Sequence, residues 1–264
     1  MSTAITIKDQ VAGVEKLLDA RMQQIAKALP EGTMTAHHFA RTVLTLCARN
    51  PELLKCNPGS LLGSVMQAAQ LGLTPDPVLG EAWFVPFKGV VQFIPGYKGL
   101  IKLAWQSDRV AKVSARVVRE GDSFSLEYGL SESLVHIPRS PPDAPLTHAY
   151  AVVHTKDSPL PMFVCLSLAE IKAVQARSPS ARSGHSPWKT DFEAMAMKSA
   201  LRRVCKLVPS STTDQRLQRA TVLDEQAEHG LKQHLSDLIG EDTERDAAMD
   251  EMEVPQTTGE EDAK

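Results

Sequence analysis

No stretch of the chain approaches the roughly 18 consecutive apolar residues of a membrane-spanning helix. The N-terminus, Met1-Ser-Thr-Ala-Ile-Thr-Ile-Lys8, lacks the long apolar run of a signal peptide. Cysteine is scarce. Cys47, Cys56, Cys165 and Cys205 are scattered, no two have C-x-x-C spacing, and a zinc site is disfavoured. Buried, reduced thiols in a cytoplasmic protein are the expectation. No glycine-rich phosphate loop of the form G-x-x-x-x-G-K-[ST] occurs, which argues against an ATP-driven motor. The eight histidines form neither H-E-x-x-H nor a deaminase pattern. No nucleophile stands with a base, so the chain does not read as an enzyme, and no metal or cofactor is expected. Asp122, Asp191 and Glu193 are the carboxylates a metal-dependent nuclease would need. Asp191 and Glu193, however, flank a helix start, where the helix dipole favours acids.

Aromatics make up only 5% of the 264 residues, so an aromatic beside a lysine stands out. The formal net charge of −3 hides a segregation. Residues 1–80 carry 7 Lys/Arg against 6 Asp/Glu, residues 81–210 carry 17 against 11, and residues 211–264 carry 5 against 15. A basic middle with an acidic end suggests a polyanion-binding body and a separate tail.

Punctuation and periodicity predict the elements. An amphipathic helix runs from about Ile7 to Leu29 and a second from about Thr35 to Arg49. A third starts at the Asn57 N-cap with Pro58 at its first position and ends at Gly72. Gln67 and Gln70 fall on its more polar side. Strands at Glu81–Phe87 and Val90–Ile94 flank Lys88-Gly89 as a two-residue hairpin. A short helix follows over about Tyr97–Ser107. Further strands fall at Val110–Glu120, Phe124–Tyr128, Leu134–Ile137, Thr147–His154 and Met162–Leu166. Ser167–Glu170 and Thr190–Glu193 read as capping boxes opening two helices, the second running to Pro209. Ser178–Ser186 reads as a mobile loop. The fold class is α+β: a central antiparallel sheet of five or six strands with a β-hairpin, packed by several helices.

Three of these elements suit one basic groove. They are the Tyr97–Lys102 helix with Lys98 and Lys102 four apart, the strand face carrying Lys112 and Arg116, and the row Lys198, Arg202, Lys206 with Arg203 beside it. Cations meet phosphates, and flat rings meet exposed bases. Trp83, Tyr97 and Trp188 are the rings best suited to stacking, while Phe93 and Trp105 suit the core.

At these residues the chain resembles the RecT family of phage single-strand annealing proteins. The likeness lies in Leu61-Leu-Gly-Ser-Val-Met-Gln-Ala-Ala-Gln-Leu-Gly-Leu-Thr-Pro75, in Val91-Gln-Phe-Ile-Pro-Gly-Tyr-Lys-Gly-Leu100, and in Pro187-Trp-Lys-Thr-Asp-Phe192 continuing to Lys206. Pro95 departs from the family pattern before Gly-Tyr-Lys. The resemblance implies ATP-independent binding of single-stranded DNA and its annealing into duplex, in the cytoplasm of a bacterial host. It implies homo-oligomeric rings or helical filaments with DNA in a basic groove. It also implies a 5′→3′ exonuclease and the host single-strand-binding protein as partners. It assigns DNA contact to Lys98, Lys102, Lys198, Arg202, Arg203 and Lys206, and more weakly to Gln92, Tyr97, Trp188 and Lys189.

The expected organisation is an N-terminal helical segment at 1–34 making subunit contacts, a DNA-binding annealing core at 35–210, a helical linker at 211–240 and an acidic disordered tail at 241–264. Three other readings stay open on the residues alone: a protective binder of single strands that does not anneal them, a metal-dependent nuclease, and an assembly protein whose basic faces meet its neighbours' acidic tails.

Overall fold

A computed structural model describes residues 6–182, 186–209, 214–231 and 233. The tail at 241–264 and the middle of the Ser178–Ser186 loop lie outside the described residues. The N-terminal periodicity resolves into two helices, α1 (Ile7–Ala20) and α2 (Met22–Ala28), because Arg21 leaves helical geometry at φ −109° and ψ 8°. Leu18 and Ile25 on either side of the break are both buried. The Thr35 hydroxyl caps α3 (Ala36–Arg49), accepting from the His38 N–H. Asn50-Pro51 ends it in a 3-10 turn over Pro51–Lys55.

α4 (Pro58–Leu71) begins and ends as its punctuation predicts. The Asn57 side chain accepts from the Ser60 N–H, and Gly72 takes φ 65°. The Leu73 N–H reaches Ala68 O at 3.0 Å and the Gly72 N–H reaches Ala69 O at 2.9 Å, the paired bonds of a Schellman ending. Gln67 is not on the surface: it is 2% exposed, and Gln70 is half-buried. The helix is enclosed on several sides, so its polar stripe has no solvent face to occupy.

β1 (Ala82–Phe87) and β2 (Val90–Pro95) pair through Lys88 and Gly89, both at positive φ (50° and 80°). Among the described residues no third strand joins the outer edge of β2. Side chains close it instead. The Val91 N–H donates to Ser60 Oγ at 2.9 Å, and Ser64 Oγ donates to Val91 O at 3.1 Å. The Phe93 N–H donates to Gln233 Oε1 and the Gln233 Nε2 donates to Phe93 O, each at 2.9 Å.

α5 (Tyr97–Gln106) follows directly, and its first turn lies against the backbone that leads into β1. A Cβ on Gly96 would stand 2.0 Å from Gly80 O, and one on Gly99 would stand 2.0 Å from Glu81 O. Only glycine permits that approach.

The expected single sheet is three. β3 (Val110–Arg119), β6 (Leu146–Thr155) and β7 (Met162–Ser167) form one antiparallel sheet in the order β3-β6-β7. β4 (Ser123–Glu127) and β5 (Ser133–Ile137) form a separate hairpin. That hairpin lies on the face of the larger sheet rather than along its edge. Phe124 meets Tyr150 and His148 at ring distances of 6.4 and 5.1 Å, and Tyr128 meets Phe163 at 5.7 Å. The opposite face, with Val113, Ala115 and Val117 on β3 and Ala149, Ala151 and Val153 on β6, belongs to the main core.

The Ser167/Glu170 capping box opens α6 (Leu168–Arg177) as expected. The second box does not form. The short α7 (Pro187–Thr190) starts on the Ser186 hydroxyl, and α8 (Phe192–Cys205) follows from Asp191 without a side-chain cap. Glu193 turns instead to Arg119, at 2.5 Å. α9 (Arg216–Glu228) falls in the segment assigned to the linker, and its Leu217, Ala220 and Leu223 lie in the main core. The four cysteines are unpaired, and burial pushes the Cys205 thiol up to about 12.

The glycine contact sets a prediction. Gly99→Ala forces a methyl onto the Glu81 carbonyl, an overpacking that costs at least about 2 kcal/mol. Urea denaturation should show the loss as a lower midpoint, whereas the control Gly13→Ala, inside α1 with its added Cβ meeting nothing within 4 Å, should keep or slightly raise it.

Candidate nucleic-acid interface

The cations singled out by the sequence divide into two groups. The first group is already paired inside the molecule. On α8, Lys198 is 9% exposed and Arg202 6%. Lys198 Nζ lies 2.6 Å from Asp224 Oδ1 on α9, Arg202 lies 3.3 Å from Asp224 Oδ2 and also pairs with Glu228, and Lys206 pairs with Glu225. Arg203 faces the other way, 3.6 Å from Glu170 on α6. Lys198 and Arg202 therefore do not belong to a solvated stripe, while Lys206, at the end of the row, is exposed but paired. Four-residue spacing places cations on one helix face, and here that face meets an acidic helix.

Lys102 is also committed. Its Nζ donates to Gly72 O at 3.0 Å and to Glu81 Oε2 at 2.8 Å, and the same carboxylate oxygen accepts from the Thr74 N–H at 3.0 Å. Lys102 thus ties the end of α4 to the start of β1. Gln92 is 5% exposed and its Nε2 donates to Leu231 O at 3.0 Å. Trp188 is 2% exposed and packs on Phe192 with ring centroids 6.0 Å apart, so its ring is not available to a base. Trp105, expected in the core, is 54% exposed, because the inward positions of α5 are held by Leu100, Leu103 and Ala104.

The second group faces solvent. Lys98, Lys112, Arg116 and Lys189 are exposed, and Tyr97 is half-buried. Lys112 and Arg116 stand on the same face of β3, the edge strand of its sheet. Arg116 lies opposite Tyr150 and close enough to Tyr97 for its charge to oppose the upward push that burial gives that phenol. Arg116 thus lies near Tyr97, and Lys112 stands four residues back along the same face of β3. Lys98 is next to Tyr97 at the start of α5.

Beside Arg116 a cleft of about 270 Å³ opens along β3, lined by Arg116, Arg119, Asp122, His136 and Met197. Its floor is a closed polar network. His136 lies 3.0 Å from Asp122 Oδ2 and 3.1 Å from the Tyr150 hydroxyl. The backbone N–H groups of Arg139, Arg119 and Ser140, together with His136, hold the Asp122 carboxyl well below the usual carboxylate range. Both Asp122 oxygens are thereby engaged, and Glu193 is engaged by Arg119, so two of the three nuclease carboxylates serve structural bonds.

Sequence reading missed Arg119, the Asp122–His136–Tyr150 network and the acids of α9. The last carried a signal: Asp224, Glu225 and Glu228 cluster on one turn of a helix, matching the step of the α8 cations. The network carried none, since its members come from three separate strands or turns.

Asp122 sets a second prediction. Its depressed pKa means a stabilising contribution that is present above the unfolded value of about 3.9 and fades as pH falls below it. Asp122→Asn should therefore lower the denaturation midpoint relative to the native chain at pH 7, and the difference should shrink at pH 3.

Comparison with known proteins adds three likenesses. A family model described as the RecT family matches residues 37–235. Protein RecT of Escherichia coli (strain K12) is 42% identical over 211 residues, covering 77% of this chain and 76% of that protein. A Bacillus subtilis (strain 168) protein named YqaK, described as uncharacterized, is 30% identical over 169 residues, covering 64% of this chain and 58% of that protein. The matched span of the family model reaches past α9.

Proposed function

The chain belongs to the RecT family, and on that premise we propose that it binds single-stranded DNA and anneals complementary strands in recombination without nucleotide hydrolysis. The observation that carries the reading at the site is the solvent-facing pair Lys112 and Arg116 on edge strand β3, with Tyr97 and Lys98 at the neighbouring start of α5. Lys189 extends the same chemistry on α7. Each of these cations can neutralise a phosphate and release counterions, which gives affinity without sequence preference. Tyr97 offers a ring edge to a base.

A strand held by its phosphates leaves its base edges open to a second strand. Pairing and stacking supply about 1.4 kcal/mol per step. The protein's task is to remove phosphate repulsion and hold the first strand extended. The reading carries further parts: rings or filaments that join the β3 faces into a longer groove, subunit contacts from residues 1–34, and an acidic end at 241–264 that meets partner proteins. A 5′→3′ exonuclease would supply the single strand, and the host single-strand-binding protein would share it.

The test is annealing of two labelled complementary oligonucleotides across a salt series, without ATP. The native chain should accelerate annealing, and the acceleration should fall steeply with salt. Lys112→Ala with Arg116→Ala should reduce the log–log salt slope of single-strand affinity by about 1.4, at about 0.7 per lost contact. Binding without acceleration would mark a protective single-strand binder. An unchanged slope in the double variant would move the DNA off β3.

A further inference from the structure

We propose that the α8 row Lys198, Arg202 and Lys206 is a second phosphate-binding surface, that α9 occupies it in the free protein, and that bound DNA displaces α9. The inference rests on the DNA-binding reading above and adds an occluded site and its occupant.

The row and its cover match in chemistry and spacing. Lys198 and Arg202 on α8 and Lys206 at its C-cap recur every four residues, a step of about 6 Å. Each meets a carboxylate of α9: Asp224 for Lys198, Asp224 with Glu228 for Arg202, Glu225 for Lys206. Lys206 beside Glu225 holds that carboxyl below its usual range. Lys198 and Arg202 are buried charges whose partners are the α9 carboxylates, so whatever replaces α9 on them must supply anions or water. A run of phosphates returns an oxygen anion to each cation when the carboxylates leave. Exchange of carboxylate for phosphate keeps every cation paired.

The rest of the α9 attachment is also of an exchangeable kind. Among the described residues of α9, only Leu217 and Leu223 bring large apolar side chains to the core; its other buried positions are Ala220, Thr221, Asp224 and Ala227. Beyond α9 the chain is held to β2 by polar bonds. The Gln233 amide serves Phe93, and Gln92 donates to Leu231 O. One stretch, 216–231 with Gln233, therefore covers Lys198, Arg202 and Gln92 and pairs with Lys206. Its departure would expose Lys198, Arg202 and the Gln92 amide together and free the already exposed Lys206 from Glu225.

The test is hydrogen–deuterium exchange of the full chain with and without saturating oligo-deoxythymidylate, with binding followed by anisotropy in the same sample. Amides of 216–228 should exchange roughly tenfold or more faster with DNA bound, while α8 should not. Unchanged or slower exchange of α9 in a sample that binds DNA would overturn the displacement and leave the β3 reading standing. Absence of binding would overturn both. Glu225→Gln with Glu228→Gln should tighten single-strand binding several-fold and steepen the salt slope by about 0.7 for each freed cation. The control is Glu127→Gln with Glu132→Gln, the same charge change at exposed positions on or beside the β4–β5 hairpin. An equal gain from the control would show bulk electrostatics alone and sink the proposal.

Discussion

The contact on which the molecule depends is backbone against backbone. Gly96 and Gly99 let the first turn of α5 lie on the Gly80–Glu81 carbonyls, where any side chain would collide. The same short stretch receives the Gly96 N–H at Glu81 O, 2.8 Å away. Lys102, one turn further along α5, then reaches both Glu81 and the carbonyl of Gly72. The C-terminus of α4, the start of β1 and the whole of α5 are thus fixed by one set of neighbouring bonds. β3 begins only a few residues after α5, so its placement, and with it that of Lys112 and Arg116, is inherited from this joint. A glycine–lysine motif that reads as phosphate chemistry in the sequence turns out to be half architecture: its glycines permit the approach and Lys102 secures it, while Lys98 alone of its lysines faces solvent.

The second constraint is the burial of charge on α8. Taking Lys198, Arg202 and Asp224 out of water is expensive, and their mutual attraction in the interior roughly balances that cost. Such a network is therefore a poor source of net stability. It is a strong source of specificity, since losing one member strands the others at about 3–5 kcal/mol. An α9 shifted by one residue would miss its partners. The network sets which turn of α9 faces which turn of α8, a task that Leu217 and Leu223 alone could not perform.

What was legible in the sequence was local. Caps at Asn57 and Ser167, the Gly72 ending and the Lys88-Gly89 turn depend on residues within a few positions of one another, and all formed. Strand positions were legible for the same reason. What failed were several statements about what a face meets, although Phe93 is in the core and Lys112 and Arg116 face solvent as expected. The Lys198 row, Gln67, Trp105 and Trp188 each sat on a correctly placed element, yet their surroundings come from distant segments. A helical period tells which residues share a face. It does not tell whether that face meets water, a sheet or an acidic helix. The Thr190–Glu193 box failed similarly, because Glu193 found a better partner in Arg119, seventy-four residues upstream. The division into three sheets was hidden too, since two hairpins and a sheet share one alternating pattern whether they meet edge to edge or face to face.

The two groups of cations differ in how salt reaches them. At physiological ionic strength the screening length is about 8 Å, which weakens exposed charges and hardly touches buried pairs. Lys112 and Arg116 stand in solvent, and on the proposed reading their hold on phosphates must decline as salt rises. Lys198 and Arg202 are enclosed with their carboxylates, and their pairing persists. Rising salt should therefore loosen a polyanion from β3 well before it loosens α9 from α8. On the proposed reading, such a protein keeps its fold while its grip is tuned from outside, and Lys198 and Arg202 stay covered until a ligand with its own regular anions competes for them at close range.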